Sequence, residues 1–169
     1  KNILEIYEAG FTVTDKEDKT PLTDADLAAH KTITEELKRL TPDIPILSEE
    51  SEAIPFKERI QWQRYWLIDP LDGTREFIKR NGEFTVNIAL IERGRPIIGV
   101  IQVPVNGILY YAWRDGGAWK QLPEQPPKQI HARVPSGEQL VVAGSRSHGN
   151  EVITQFLDKI GSHRIFPMG

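Results

Sequence analysis

"YWLIDPLDGTREFIKRNGEFTVNIALI", residues 65–91, sets two apolar runs on either side of an acidic turn. Tyr65 to Ile68 reads as a buried strand. Phe84, Val86, Ile88 and Leu90 alternate with Thr85, Asn87, Ala89 and Ile91, and both sets are largely apolar, so this second strand is expected to be covered on both faces. Between them, Thr74 to Lys79 reads as a short helix. In the turn "DPLDGT", Pro70 is expected to stop the ladder at Asp69, leaving that carboxylate at the strand end with Asp72 close by. Gly73 lets backbone approach a ligand, and Thr74 opens a helix whose free N–H groups attract anions. Two carboxylates and the carbonyl of Leu71 are hard oxygen donors suited to Mg²⁺. The purely structural alternative makes Asp72 the cap of the helix at 74–79 and Asp69 a hydrogen-bonded strand end.

Working outward, residues 2–9 read as a helix stopped by Gly10, and residues 11–14 as a short strand. Thr23 is a good N-cap, with Asp24 and Asp26 in the first turn and Ala29, Ile33, Leu37 and Leu40 forming an apolar stripe up to Thr41-Pro42. By its position alone, Asp26 is a capping-box residue. Ile44 to Leu47 reads as a strand running into Ser48-Glu49-Glu50-Ser51, a second acidic patch in which one glutamate is expected to be simply solvated. Strands at 97–103, 108–113 and 118–120 form a meander with a hairpin turn at Asp115-Gly116-Gly117, and 122–129 is a proline-rich loop. A strand at 140–143, a helix at 149–160 and a strand at 164–166 follow. The fold class is α+β: an antiparallel sheet with helices packed on it.

The totals narrow the function classes. The 169 residues suit one domain, with 39% hydrophobic and 27% charged residues, an ordinary globular mix. A net charge of -3 gives no electrostatic case for nucleic acid as a partner. With no cysteine, disulfides, thiolate metal sites and cysteine nucleophiles are excluded. The apolar runs are too short for a transmembrane helix. The chain opens inside a helix pattern and ends on "IFPMG", which reads as a fragment cut at both ends.

Taken together, "LSEES" (47–51), "WLIDPLDGT" (66–74), "FTVNIALI" (84–91) and "GGAW" (116–119) resemble the inositol monophosphatase superfamily of Mg²⁺-dependent, lithium-sensitive phosphatases. "PLTDADLAAH" (21–30), "LTPDIPILSEE" (40–50), "FIKRNGEFTVNIALI" (77–91) and "SRSH" (145–148) look closest to its 3'(2'),5'-bisphosphate nucleotidase branch, of the CysQ type. The resemblance implies the N-terminal part of a layered α-β-α-β-α sugar-phosphatase fold, with residues 1–169 in a single catalytic domain. It implies that Glu49, Asp69, Asp72 and the Leu71 carbonyl bind Mg²⁺. Gly73 and Thr74 would contact phosphate, and Glu49, Asp72 and His148 would also meet the substrate. Thr74 and Asp26 would pair to position and deprotonate the attacking water. The family's further aspartate, in a W-D-x-A-A-G motif, is absent from this sequence, so the fragment is expected to lack one metal ligand and to be of doubtful competence.

The implied reaction converts adenosine 3',5'-bisphosphate to AMP and phosphate, in sulfur metabolism. The implied location is cytoplasmic or peripheral at the inner face of the membrane. The alternatives are an inositol monophosphatase-like sugar phosphatase and a metal- or phosphate-binding fragment without turnover. A haloacid-dehalogenase-type phosphatase needs D-x-D-x-T, one residue tighter than the D-x-x-D-G-T found here.

Overall fold

In a computed structural model the chain divides into two compact units, one through Ile130 and one from His131. The structure describes residues 2–16, 21–133, 139–145 and 151–168.

The first unit is built on a seven-stranded sheet. Its strands, in spatial order, are β3 (Ile46–Ser48), β4 (Arg64–Asp72), β5 (Thr85–Glu92), β6 (Arg95–Val103), β7 (Ile108–Trp113), β8 (Gly117–Gln121) and β9 (Lys128–Ile130). Every neighbouring pair is antiparallel except β3 and β4, where Ile46 to Ser48 run parallel to Trp66 to Ile68. The parallel pair brings the C-terminal ends of two strands side by side, and each end leads into acidic residues. The proline-rich segment ends in a paired edge strand, β9, rather than in loop throughout. A small hairpin of β1 (Val13–Asp15) and β2 (Pro21–Thr23) precedes the long helix.

Helices α1 (Asn2–Ala9) and α2 (Asp24–Leu40) pack on each other, and α2 packs on β4. Alpha-1 ends at Gly10, whose φ of 105° lets its N–H reach back to the Ile6 carbonyl at 3.0 Å. Alpha-2 starts on Thr23 as expected: the Thr23 hydroxyl accepts from the Ala25 N–H, and the Asp26 carboxylate accepts from the Thr23 N–H. Of its apolar stripe, Ala29 and Leu37 are buried, whereas Leu40, in the last turn, is exposed.

A one-turn helix, α3 (Phe56–Arg59), lies in the irregular segment before β4, and α4 (Thr74–Ile78) follows it. Phe77 of α4 is fully buried and meets Phe84 edge-on at 5.1 Å and Tyr7 of α1 at 4.9 Å. Ile3, Ala25, Ala29, Leu71 and Val86 complete this cluster. Each buried phenylalanine contributes about 1.5–3 kcal/mol of apolar burial, which fixes α4 to the helical layer and to β5 at once. In β5, adjacent residues Leu90 and Ile91 are both buried, in line with a strand covered on both faces at that end.

The second unit contains β10 (Leu140–Ser145), α5 (Glu151–Lys159) and β11 (His163–Met168), with β10 and β11 parallel. Leu157 of α5 is buried. Among the described residues no helix is long and apolar enough to cross a membrane.

Candidate active site

The acidic turn is held differently from the sequence expectation. Pro70 does not end the ladder at Asp69. Strand β4 continues to Asp72, with Asp69 opposite Asn87 and Asp72 opposite Thr85. Three steps on β4 match two on β5, so one extra residue bulges out, and Pro70 sits in that bulge, where its missing N–H breaks no pairing. The bulge aims both carboxylates. Asp69 Oδ1 accepts from the Leu71 N–H at 3.2 Å, and Asp72 Oδ2 accepts from Asn87 Nδ2 at 3.0 Å.

Asp72 does not cap α4. The cap position is Gly73, at φ 95° and ψ 41°, and no side chain caps the helix. A Cβ on Gly73 would lie 3.0 Å from the Glu83 carbonyl oxygen and 3.3 Å from Phe84 Cα, so both the turn and the close approach require glycine.

Asp26 serves two partners, one with each oxygen. Oδ2 accepts from the Thr23 N–H at 2.8 Å and from the Thr23 hydroxyl, closing the capping box. Oδ1 accepts from the Thr74 hydroxyl at 3.3 Å, and the same hydroxyl lies 3.3 Å from the Leu71 carbonyl. The capping role and the Thr74 pairing therefore coexist. Asp26 is 1% exposed. Burial pushes its pKa above the usual carboxylate range, against the hydrogen bonds from Thr23 and Thr74, which favour the charged form.

Glu49 and Glu50 follow β3 on a turn. Glu50 has a side chain only 6% exposed, while that of Glu49 is 53% exposed. Lys16 Nζ lies 2.6 Å from Glu50 and 3.3 Å from Glu49. Burial works against the charge on Lys16, but the two glutamates outweigh it and its pKa is raised. Burial likewise raises Glu50, with Lys16 opposing and Asp26 and Glu49 adding to the shift.

Asp69 is crowded by other carboxylates. It is raised to about 7, first by burial and then by the negative charges of Glu49 and Asp72, with the Leu71 N–H pulling the other way. Carboxylates crowded in this way are each other's problem, and a cation between them would relieve it. The donors fit Mg²⁺ in kind: three carboxylates and the Leu71 carbonyl, all hard oxygens. They are not closed into a chelate. Among the described residues no group of three acidic or histidine side chains converges tightly enough to hold a metal as it stands. Glu49 leans to Lys16 and Asp72 to Asn87.

A cavity of about 570 Å³ opens beside these groups; Glu49, Asp69 and Asn87 form its polar edge, and Leu67, Ala89 and Ile101 line its apolar part. Of the residues singled out in the sequence, the structure joins Asp26 to Thr74, Thr74 to Leu71, and Asp69 to both Glu49 and Asp72. His148 lies outside the described residues. Sequence reasoning missed Lys16, Asn87, His30 and Ser48. Lys16 stands in a charged loop whose composition signals only solvent; Asn87 carried a signal, as a polar residue on the apolar strand facing "DPLD".

Residues 1–164 match the inositol monophosphatase family, and the chain belongs to that family. It is thus part of a phosphoric monoester hydrolase, and the haloacid-dehalogenase alternative falls away. Within the family, the chain is 48% identical to the 3'(2'),5'-bisphosphate nucleotidase CysQ of Salmonella typhimurium, over 99% of this chain and 67% of the relative. The CysQ of Escherichia coli K12 is 46% identical over the same shares. The crystal structure of CysQ from Bacteroides thetaiotaomicron superposes with a TM-score of 0.80 at 34% identity, covering 99% of this chain and 67% of that one. The chain therefore spans about two thirds of the length of these relatives.

Proposed function

We propose that this site hydrolyses the 3'-phosphate of adenosine 3',5'-bisphosphate, giving AMP and phosphate, with Mg²⁺ as cofactor. The observation that carries the reading is the contact of buried Asp26 with Thr74 beside the crowded Glu49, Asp69 and Asp72 carboxylates. The similarity to CysQ proteins supports the choice of substrate.

Glu49, Asp69, Asp72 and the Leu71 carbonyl would hold the ion. When bound, Mg²⁺ neutralises charge on the transferring phosphoryl group and makes water a better nucleophile. Thr74 orients the attacking water, and Asp26 takes its proton through the Thr74 hydroxyl. The burial that raises Asp26 also makes it a better proton acceptor near neutral pH. Gly73 leaves room for phosphate against the backbone. The attack is direct, with no covalent enzyme intermediate, and stabilisation of charge does most of the work. His148 would contribute on the nucleoside side. The reading includes lithium sensitivity, a cytoplasmic location and a small phosphate ester as the natural partner.

The test is phosphate release by the full-length protein from adenosine 3',5'-bisphosphate, inositol 1-phosphate and fructose 1,6-bisphosphate, with and without Mg²⁺. The expected order puts the nucleotide first and requires the metal. A preference for inositol 1-phosphate would overturn the choice of substrate.

A further inference from the structure

The turn that bears Glu49 is short of support from its own strand. Beta-3 has three residues, and its last, Ser48, is followed at once by the two glutamates. Three hydrogen bonds shape the turn: the Glu49 N–H donates to the Ile68 carbonyl at 3.1 Å, the Ser51 N–H to the Ser48 carbonyl at 3.1 Å, and the Glu50 N–H to the Ser48 hydroxyl at 3.4 Å. Ser48 thus contacts the turn with both its carbonyl and its hydroxyl. It is 6% exposed, so its rotamer depends on a protein partner for the hydroxyl proton.

That partner is His30, whose Nδ1 lies 2.8 Å from Ser48 Oγ. The hydroxyl accepts from the Glu50 N–H and has capacity for one further bond with Nδ1, which either of the two can donate. His30 stands on α2 four residues after Asp26, and positions i and i+4 share a helix face. The first turn of this face grips Thr74 through Asp26. The next turn grips Ser48 through His30. One rigid helix therefore spans both sides of the acidic site.

We propose that His30 is a positioning residue of this site: through Ser48 it holds the turn that presents Glu49 beside Asp69 for metal binding. The inference rests on the assignment of Glu49 as a metal ligand made above. It makes no use of His30 as an acid or base, and His30 does not touch the substrate.

The experiment compares parent, His30→Ala, His30→Asn, Ser48→Ala and the double alanine variant, all in the full-length protein. Two quantities are read: the Mg²⁺ concentration giving half-maximal phosphate release, and the Mg²⁺ isotherm by calorimetry without substrate. Groups that orient metal ligands typically change metal affinity by roughly 10–100-fold. His30 acts one step removed, so His30→Ala and Ser48→Ala should each raise the Mg²⁺ requirement roughly tenfold, with turnover at saturating Mg²⁺ little changed. The double variant should be no worse than either single one, because the two form one chain of contacts. In His30→Asn the amide oxygen stands one bond beyond Cγ, where Nδ1 stands, and should restore most of the Mg²⁺ affinity.

A His30→Ala protein that titrates like the parent would overturn the proposal, as would losses that add in the double variant. If His30→Ala lowers the melting temperature, the folded His30→Asn variant still decides: failure to recover Mg²⁺ affinity counts against positioning. A parent that binds Mg²⁺ without hydrolysing the nucleotide would sink the functional reading alone, and the calorimetric comparison would still judge His30.

Discussion

Replacing Gly73 by alanine is expected to damage both stability and catalysis, and Gly10 supplies the internal control. Both glycines sit at strongly positive φ, 95° and 105°. At Gly10 nothing lies within 4 Å of an added Cβ; at Gly73 the added atom meets the Glu83 carbonyl oxygen at 3.0 Å and Phe84 Cα at 3.3 Å. Gly10→Ala therefore reports the backbone penalty alone, about 1–2 kcal/mol. Gly73→Ala adds a clash with main chain, which cannot swing aside as a flexible side chain would. Overpacking of this kind costs about 1–3 kcal/mol more. At about 2–4 °C per kcal/mol, Gly10→Ala should lower the melting temperature by about 2–8 °C, and Gly73→Ala by clearly more. The clash is relieved by moving Gly73 and Thr74 away from the backbone of Glu83 and Phe84. The Thr74–Asp26 contact is already 3.3 Å, so a shift of a few tenths of an ångström opens it. Turnover in Gly73→Ala should fall about tenfold or more, with Gly10→Ala near the parent rate. Thermal denaturation and steady-state phosphate release on the two variants test this. Equal melting temperatures together with equal rates would refute the claim that close approach, rather than φ alone, fixes Gly73.

Asp72→Asn should abolish Mg²⁺-dependent phosphate release, and the Mg²⁺-induced rise in melting temperature expected of the parent should vanish with it, because an ion stabilises only the state that binds it. Asp26→Ala should reduce kcat far more than it raises KM for the nucleotide, and loss of the capping box should cost about 1 kcal/mol, read from denaturant titration. Arg80→Ala should destabilise the protein by about 1–2 kcal/mol without changing the Mg²⁺ requirement. Its guanidinium donates to the Tyr7 carbonyl and lies 5.3 Å from the Tyr7 ring and 5.4 Å from that of Phe11, tying α4 to the end of α1.

The elements that sequence exposes are those with local causes. The Thr23 cap, the stop at Gly10 and the alternating strand at 85–92 are each specified by a few adjacent residues, and the structure contains them. "DPLDGT" is legible as a candidate site because it sets two carboxylates and a helix start together after a buried strand, although Asp, Pro and Gly are also ordinary turn residues. The bulge at Pro70 is not legible, since a proline after a strand signals termination just as well. Whether it terminates depends on Thr85 and Asn87 of β5 taking up the register beyond it. The parallel docking of β3 on β4 and the contact of His30 with Ser48 join segments about 20 residues apart and leave no periodic trace. Asp26 is the instructive case. Its neighbours make it a cap, and its contact with Thr74, 48 residues on, makes it more; the sequence around it reports only the first.

The two glutamates show why the more exposed member is the better ligand candidate. Glu50 is buried and Lys16 lies 2.6 Å from it, so its charge is largely answered inside the protein. Glu49 is farther from the same ammonium, at 3.3 Å, half-exposed, and close enough to Asp69 to raise that group's pKa. Lys16 thus compensates the acidic patch unevenly. It leaves Glu49, Asp69 and Asp72 with negative charge in excess, and Glu49 and Asp69 line the cavity. A lysine placed to neutralise all three would block an ion; one that neutralises Glu50 steadies the turn and leaves the demand for a cation in place. On this account Glu50→Gln should be milder than Glu49→Gln for Mg²⁺ binding, although Glu50 is the more buried of the pair. Calorimetric Mg²⁺ titration of the two variants decides it, and a larger loss from Glu50→Gln would reverse the assignment.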